Sequence, residues 1–477
     1  MDFPVWTLIP FVLMLAGIAV FPLVPQLAHL WERPRNQLIY ALVLGVPVAI
    51  GLLIAAHPEL VAHALIEYVQ FIVLLLALFT VSGAIVLRGD LAATPRTNTA
   101  FLAVGGVLAS FIGTTGAAML LIRPILATNS ERRYRAHTVV FTIFVVANCG
   151  GLLTPLGDPP LFLGMLRGVP FTWTLNLIPE WLFVNALLLL TYWALDRRFH
   201  ARENPEALAQ DAARRAPLRL GGAPNLLWFA LIILAVAKVP SLDIDAVAHG
   251  HIEGLNWVPW RELVMLAAAG GSLLTGSKAI RWKENEFSWA PIQEVGALFI
   301  GIFLTMVPAL QVLRAAAPNF PLNEITLFVF TGGLSSVLDN APTYVTFFEM
   351  ATQIPGEPRV ADVPEALLVS ISLGAVLCGA MTYIGNGPNF MVKSVAEDGG
   401  VKMPTFLGYV RAAFQYLAPV LLAMVLLFIA DPWWAKALGG VVVALLLVRV
   451  LRLATSPPPQ VLGRADRRPA PGAPAQD

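Results

Sequence analysis

Two aspartates stand where an acid is hardest to keep. Asp158 and Asp339 lie within long apolar stretches, flanked by glycine, proline, threonine and asparagine. An ionised carboxylate at bilayer depth is expensive, so it holds a cation or takes up a proton. A group that does either can exchange one for the other. Around Asp158 the chain reads Gly151-Leu152-Leu153-Thr154-Pro155-Leu156-Gly157-Asp158-Pro159-Pro160. The phrase returns as Gly379-Ala380-Met381-Thr382-Tyr383-Ile384-Gly385-Asn386-Gly387-Pro388. Both copies follow G-x-x-T-x-x-G-[D/N]-x-P. Around Asp339 it reads Ser336-Val337-Leu338-Asp339-Asn340-Ala341-Pro342, and Ser110-Phe111-Ile112-Gly113-Thr114-Thr115-Gly116 is its counterpart. Broken backbone at such places frees carbonyls and N–H groups beside hydroxyl and carboxamide oxygens, the all-oxygen shell that hard cations take. Ordinary helix kinks do not need the same ten-residue pattern twice. Either acid could instead cap a half-helix N-terminus; two acids in matched positions favour ion binding.

The offsets extend the match. Ser110 and Ser336 are 226 residues apart, and Thr154 and Thr382 are 228 apart. Asn386 is then the mate of Asp158 and Gly113 the mate of Asp339, so each half-site receives one acid. Arg123 and Glu349 also pair at 226; they are expected to snorkel to headgroups, with gating ion pairs as the alternative. Asn148, Asn389, Thr305 and Glu294 are further polar positions for a lining, Glu294 equally a favourable charge at a helix start.

The elements that must position these residues are membrane helices. The chain has 477 residues, 57% hydrophobic and 13% charged, with mean hydropathy +0.72. A soluble chain carries roughly a quarter charged residues. Its apolar runs of about 18 to 25 residues suit a hydrocarbon core of about 30 Å. The fold class is an all-α polytopic membrane protein with the lipid bilayer as partner. The net charge of +1 points to no nucleic acid. Cys149 and Cys378 both fall in spans, with no disulfide or metal spacing. His29, His57, His63, His137, His200, His249 and His251 form no ligand set, and Trp173, Trp181, Trp257, Trp260, Trp433 and Trp434 read as interface anchors. No P-loop, zinc pattern or nucleophile set is present, which argues against an enzyme and for an ion gradient as energy source. A membrane-embedded enzyme is the remote alternative. The first span lacks a basic n-region and cleavage site and is expected to be retained.

About eleven spans are expected, near 5–28, 37–56, 65–87, 136–165, 178–195, 224–240, 260–276, 290–314, 366–394, 406–430 and 435–453. Those at 136–165 and 366–394 are broken, and 98–127 and 323–352 read as re-entrant hairpins. With both hairpins returning to their starting side, most loop Lys and Arg fall on one side, including Arg132, Arg133, Arg135, Arg197, Arg198 and Lys283, while Asp243, Asp245, Glu253, Asp362 and Glu365 fall on the other. This predicts an inner (plasma) membrane protein with its N-terminus outside and C-terminus cytoplasmic. The expected organisation is an N-terminal repeat 1–196, a cytoplasmic linker 197–223, an inverted C-terminal repeat 224–430, an extra helix 431–455 and a disordered tail 456–477. An odd number of crossings inverts the second repeat, which lets one site alternate between two exits.

The motif Gly113-Thr114-Thr115-Gly116-Ala117-Ala118-Met119-Leu120-Leu121-Ile122-Arg123-Pro124 resembles the first hairpin of the antiporter and arsenite-permease branch of the ion transporter superfamily. Asp339-Asn340-Ala341-Pro342-Thr343-Tyr344 and Tyr383-Ile384-Gly385-Asn386-Gly387-Pro388-Asn389-Phe390 resemble a subgroup named for NhaD-type sodium:proton antiporters and citrate transporters. The resemblance spans roughly residues 30 to 430. It implies a homodimer, elevator-like movement, and Na⁺ at hairpin tips and helix breaks. The implied ligands are Asp158, Thr114, Asp339, Asn340 and Asn386, within a wider shell of Thr115, Thr154, Gly157, Thr382, Gly385 and Asn389. Na⁺ and H⁺ are the expected ions, with no covalent cofactor. The carboxylate branch carries tips resembling Ser-Asn-Thr; here Thr114-Thr115 and Asp339-Asn340 stand there, and an added acid repels a citrate unless Na⁺ bridges them. The expectation is therefore Na⁺/H⁺ antiport, with Li⁺ as a second candidate cation, and Na⁺-coupled transport of citrate or a dicarboxylate as the alternative.

Overall fold

The computed structural model describes residues 3–31, 33–242 and 257–455. The expected disordered tail and the acids Asp243, Asp245 and Glu253 lie outside the described residues. Six helices are long and apolar enough to cross a membrane: Pro34–Ile54, Pro58–Ser82, Trp173–His200, Ala290–Asn319, Phe406–Ile429 and Trp433–Thr455. Shorter apolar helices accompany them, Thr114–Thr128, Ala136–Leu152 and Glu365–Met381 among them. The protein is an all-α polytopic membrane protein. Small residues set a close crossing: a Cβ on Gly301 would stand 2.7 Å from the Ala41 Cβ, so helices Pro34–Ile54 and Ala290–Ala316 approach backbone to backbone.

Proline divides two of the expected runs. The run at 5–28 is divided into Ile9–Val20, a tight turn Phe21–Leu23 and Pro25–Trp31, because Pro22 and Pro25 withhold helix N–H groups. The run at 406–430 is divided at Pro419 into Phe406–Tyr416 and Ala418–Met424, followed by a wide turn Val425–Ile429. The linker is not bare loop. It holds a helix, Pro205–Ala213, and a strand, Ala216–Gly221, antiparallel to Val86–Asp90.

The first hairpin consists of helices Pro95–Ile112 and Thr114–Thr128. A single residue joins them, Gly113 at φ +81, a conformation that a side chain would strain. Asn98 and Asn129 exchange side-chain hydrogen bonds of 2.8 and 2.9 Å, closing its base. The second hairpin pairs Glu324–Ser335 with Asn340–Ala351.

Each broken helix has two arms around an irregular centre. The first runs Ala136–Val145, then Cys149–Leu152 as a tight turn, then Pro159–Leu166; the second runs Glu365–Cys378, Gly379–Met381 and Gly387–Asp398. One straight helix fixes their directions. Ile178–His200 has 23 residues, hence a length of about 34 Å. Just ahead of it, the Trp173 indole N–H donates to Glu365, the first residue of the second broken helix, at 2.9 Å. In its last turn Asp196 accepts from Arg132 at 2.6 Å and sits 2.8 Å from His137 at the start of the first. The two broken helices therefore start at opposite ends and run antiparallel.

Candidate functional site

The repeated decapeptide folds into a closed loop because its two framework glycines touch. A Cβ on Gly157 would stand 2.1 Å from the Gly151 carbonyl oxygen, and one on Gly385 would stand 2.6 Å from that of Gly379. Threonine then straps each loop to a hairpin. The Thr154 hydroxyl donates to the Ser110 carbonyl, and the Thr382 hydroxyl donates to the Ser336 carbonyl at 2.5 Å. In return, the Ser110 hydroxyl reaches the Gly150 carbonyl and the Ser336 hydroxyl that of Cys378. Tip and break thus form one rigid unit in each half, held by the same bonds at the same offsets.

The two units meet at Asp158. Its position begins the helix Pro159–Leu166, yet its side chain makes no capping bond. The reason is in the sequence: an N-cap carboxylate bonds the N–H of the second or third helical residue, and Pro159 and Pro160 leave the first two positions without one. The third, Leu161, is taken by the Asp158 backbone carbonyl at 3.1 Å. The carboxylate turns instead to the hydroxyl of Thr114 (3.3 Å) and the amides of Asn340 (2.5 Å) and Asn386 (3.3 Å). Thr114 and Asn340 are tip residues 226 apart; Asp158 and Asn386 are break residues 228 apart. One site thus draws matching positions from both halves. Asp158 is 1% exposed, Asn340 is fully buried, and the Asn340 carboxamide oxygen has no hydrogen-bond partner.

Asp339 does differently what Asp158 cannot. Its carboxylate caps the following helix, accepting from the Ala341 N–H at 3.0 Å, and it lines the same cavity. The expected pair of half-sites is one cavity, of about 150 Å³, bordered by Thr114, Thr115, Gly157, Asp158, Asp339 and Asn386 and walled by Phe71, Phe162 and Phe299. No Lys, Arg or His lines it among the described residues.

Thr154, Thr382, Gly157, Gly385 and Asn389 support the site rather than face the carboxylate. Asn389 donates to the Gly379 and Thr382 carbonyls at 2.8 and 2.9 Å and accepts from Asn148 at 2.6 Å. The Asn148 oxygen in turn accepts from Asn386 at 3.2 Å, so this pair locks one break to the other. The matched positions are Val376 for Asn148 and Leu161 for Asn389, so repetition alone could not point to them.

Over residues 1–429 the chain matches a family model described as "Putative citrate transport". The chain belongs to this citrate-transport family. No curated protein matches it. Membership fits the ion transporter superfamily to which the motifs pointed, and it makes the chain a multi-pass membrane transporter.

Several polar residues of this citrate-transport family member take other parts than expected. Arg123 and Glu349 take the alternative given for them, ion pairs between elements: Arg123 pairs with Glu286 at 2.8 Å, and Glu349 pairs with Arg167 at 3.2 Å. Arg167 also holds Glu67 at 3.0 Å, making a largely buried triad beyond the far end of helix Pro159–Leu166. Glu294 accepts from Gln37 at 2.9 Å, and the Thr305 hydroxyl returns to the Gly301 carbonyl of its own helix. Trp173 and Trp181 are buried; Trp181 donates to the Gly150 carbonyl at 3.1 Å, so both brace the fold instead of marking an interface. His137, given no role in the sequence reading, belongs to the buried Arg132–Asp196 network at the base of the first hairpin. Asp196, an acid at the end of an apolar run, was the available signal.

Proposed function

We propose that this chain is a secondary active transporter that binds a cation, Na⁺ first among them, at Asp158 and exchanges it for protons. The observation that carries this reading is a buried carboxylate surrounded by a hydroxyl and two neutral amides, with no basic side chain lining its cavity among the described residues. Neutral donors offset only part of the cost of burying an ionised acid. A cation or a proton supplies the remainder, and the two compete for the same oxygens. The orphan Asn340 oxygen and the Thr114 hydroxyl are ready neutral ligands, with Asp339 and Asn386 on the same cavity wall. The antiparallel broken helices support inverted repeats 1–196 and 224–430 and alternating access; an external N-terminus, a cytoplasmic C-terminus in the inner membrane and a homodimer complete the proposal.

The family description favours a second reading, Na⁺-coupled transport of citrate or another small carboxylate. In the Asp158 cavity such an anion would have to enter with its cation, because no arginine or lysine among the described residues lines the walls. Everted vesicles separate the two. Added Na⁺ that dissipates a respiratory ΔpH supports exchange. Na⁺-dependent uptake of labelled citrate without proton movement supports the carboxylate reading and overturns exchange.

A further inference from the structure

A second cavity, of about 230 Å³, continues from the first and shares Ser82, Thr115, Gly116 and Met391 with it. Among the described residues Arg123 is the single basic side chain lining either. It lies nine residues beyond Thr114 on one helix, hence about 13 Å away along the path. No small carboxylate spans that distance, so Arg123 belongs to a separate station.

The present partners of Arg123 are replaceable. Its guanidinium donates to the Glu284 carbonyl and to the Glu286 carboxylate. The Arg123 side chain is 29% exposed and that of Glu286 is 77% exposed, so their pairing contributes little. Glu286 also holds φ +47, a region that side chains other than glycine rarely adopt. The hydroxyl-bearing Ser288 lines the same cavity beside Glu286. A planar guanidinium fork matches a carboxylate with two parallel N–H groups, which the ammonium of lysine does not.

We propose that Arg123 is a docking station for a small di- or tricarboxylate on its way to or from the Asp158 cavity, and that Glu286 is the internal carboxylate occupying it when substrate is absent. This rests on the second of the two readings above, Na⁺-coupled carboxylate transport, and not on cation/proton exchange. Citrate titrated calorimetrically into the purified full chain tests it. Glu286→Gln removes the competitor and should tighten citrate binding about two- to fivefold, as fits an exposed ion pair. Arg123→Gln removes the charge-assisted bonds and should weaken binding about tenfold or more, with Arg123→Lys between it and wild type. Unchanged or weaker binding in Glu286→Gln, unchanged binding in Arg123→Gln, or inorganic phosphate binding as tightly as citrate would each overturn the station. Because Glu286 is exposed, its variant keeps the fold even where Arg123→Gln does not. Citrate binding to Glu286→Gln alongside absent Na⁺-driven uptake in wild-type vesicles would remove the transport reading and leave the station. Intact uptake with unaltered Arg123→Gln binding would remove the station alone.

Discussion

Replacing Asp158 with asparagine removes one charge and leaves the volume nearly unchanged. The carboxylate accepts from Asn340 at 2.5 Å and from Thr114 and Asn386 at 3.3 Å each. An asparagine keeps one accepting oxygen and turns an NH₂ group toward one of the two amide donors. That loses a bond and leaves a buried polar group unpaired, at about 1–3 kcal/mol. Ending the burial of an ionised carboxylate offsets much of this loss, so the variant folds. Cation binding has no such offset. Deleting one partner of a buried ion pair costs about 2–5 kcal/mol, and each 1.4 kcal/mol is tenfold. The Na⁺ concentration that half-dissipates ΔpH in everted vesicles should rise about 30-fold or more in Asp158→Asn. Asp339→Asn keeps an oxygen for the Ala341 N–H and leaves the Asp158 carboxylate and its three donors in place, so its shift should be smaller than that of Asp158→Asn. A half-dissipating concentration in Asp158→Asn within about threefold of wild type, with normal protein levels, would refute the reasoning.

Further substitutions probe the supports. Pro160→Ala restores an N–H at the second helical position, inviting Asp158 to cap its helix; a cap worth about 1 kcal/mol should weaken the vesicle Na⁺ response about fivefold, and an unchanged response would contradict the role given to the proline pair. Gly157→Ala and Gly385→Ala place a Cβ 2.1 and 2.6 Å from carbonyl oxygens, whereas nothing lies within 4 Å at Gly387. The first two should lower the melting temperature in detergent, as overpacking of about 3 kcal/mol does, and Gly387→Ala should not; equal melting of all three would count against the closed loops. Arg167→Gln strands the buried Glu67 and the partly buried Glu349 without a cation, a loss of about 3–5 kcal/mol that adding Glu67→Gln should partly restore; no recovery in the double variant's melting would rule the triad out as its source.

The site was legible in the sequence where a local rule was broken twice. Glycine, proline and an acid inside apolar runs marked both breaks, and the offset of 226 to 228 paired Thr114 with Asn340 and Asp158 with Asn386. Part of the orientation of Asp158 was written in Pro159-Pro160, which remove two of the N–H groups a cap could use; that its own carbonyl takes the third, at Leu161, shows only in the fold. What could not be read was anything fixed by packing between distant elements. Asn148 and Asn389 meet across 241 residues and have no matched partners in the other half. Arg123 looked like a snorkelling residue because Glu286, its partner, lies 163 residues further on in a loop with no pattern of its own. The ribbon between Val86–Asp90 and Ala216–Gly221 is too short and polar to stand out among helices.

The central claim is that cation and proton compete for the Asp158 carboxylate. Purified protein in a lightly buffered solution containing a pH-sensitive dye tests this directly when Na⁺ is added. The account predicts acidification that saturates with Na⁺ binding in wild type and vanishes in Asp158→Asn. Na⁺ binding without proton release in wild type, or release that persists in Asp158→Asn, would contradict it.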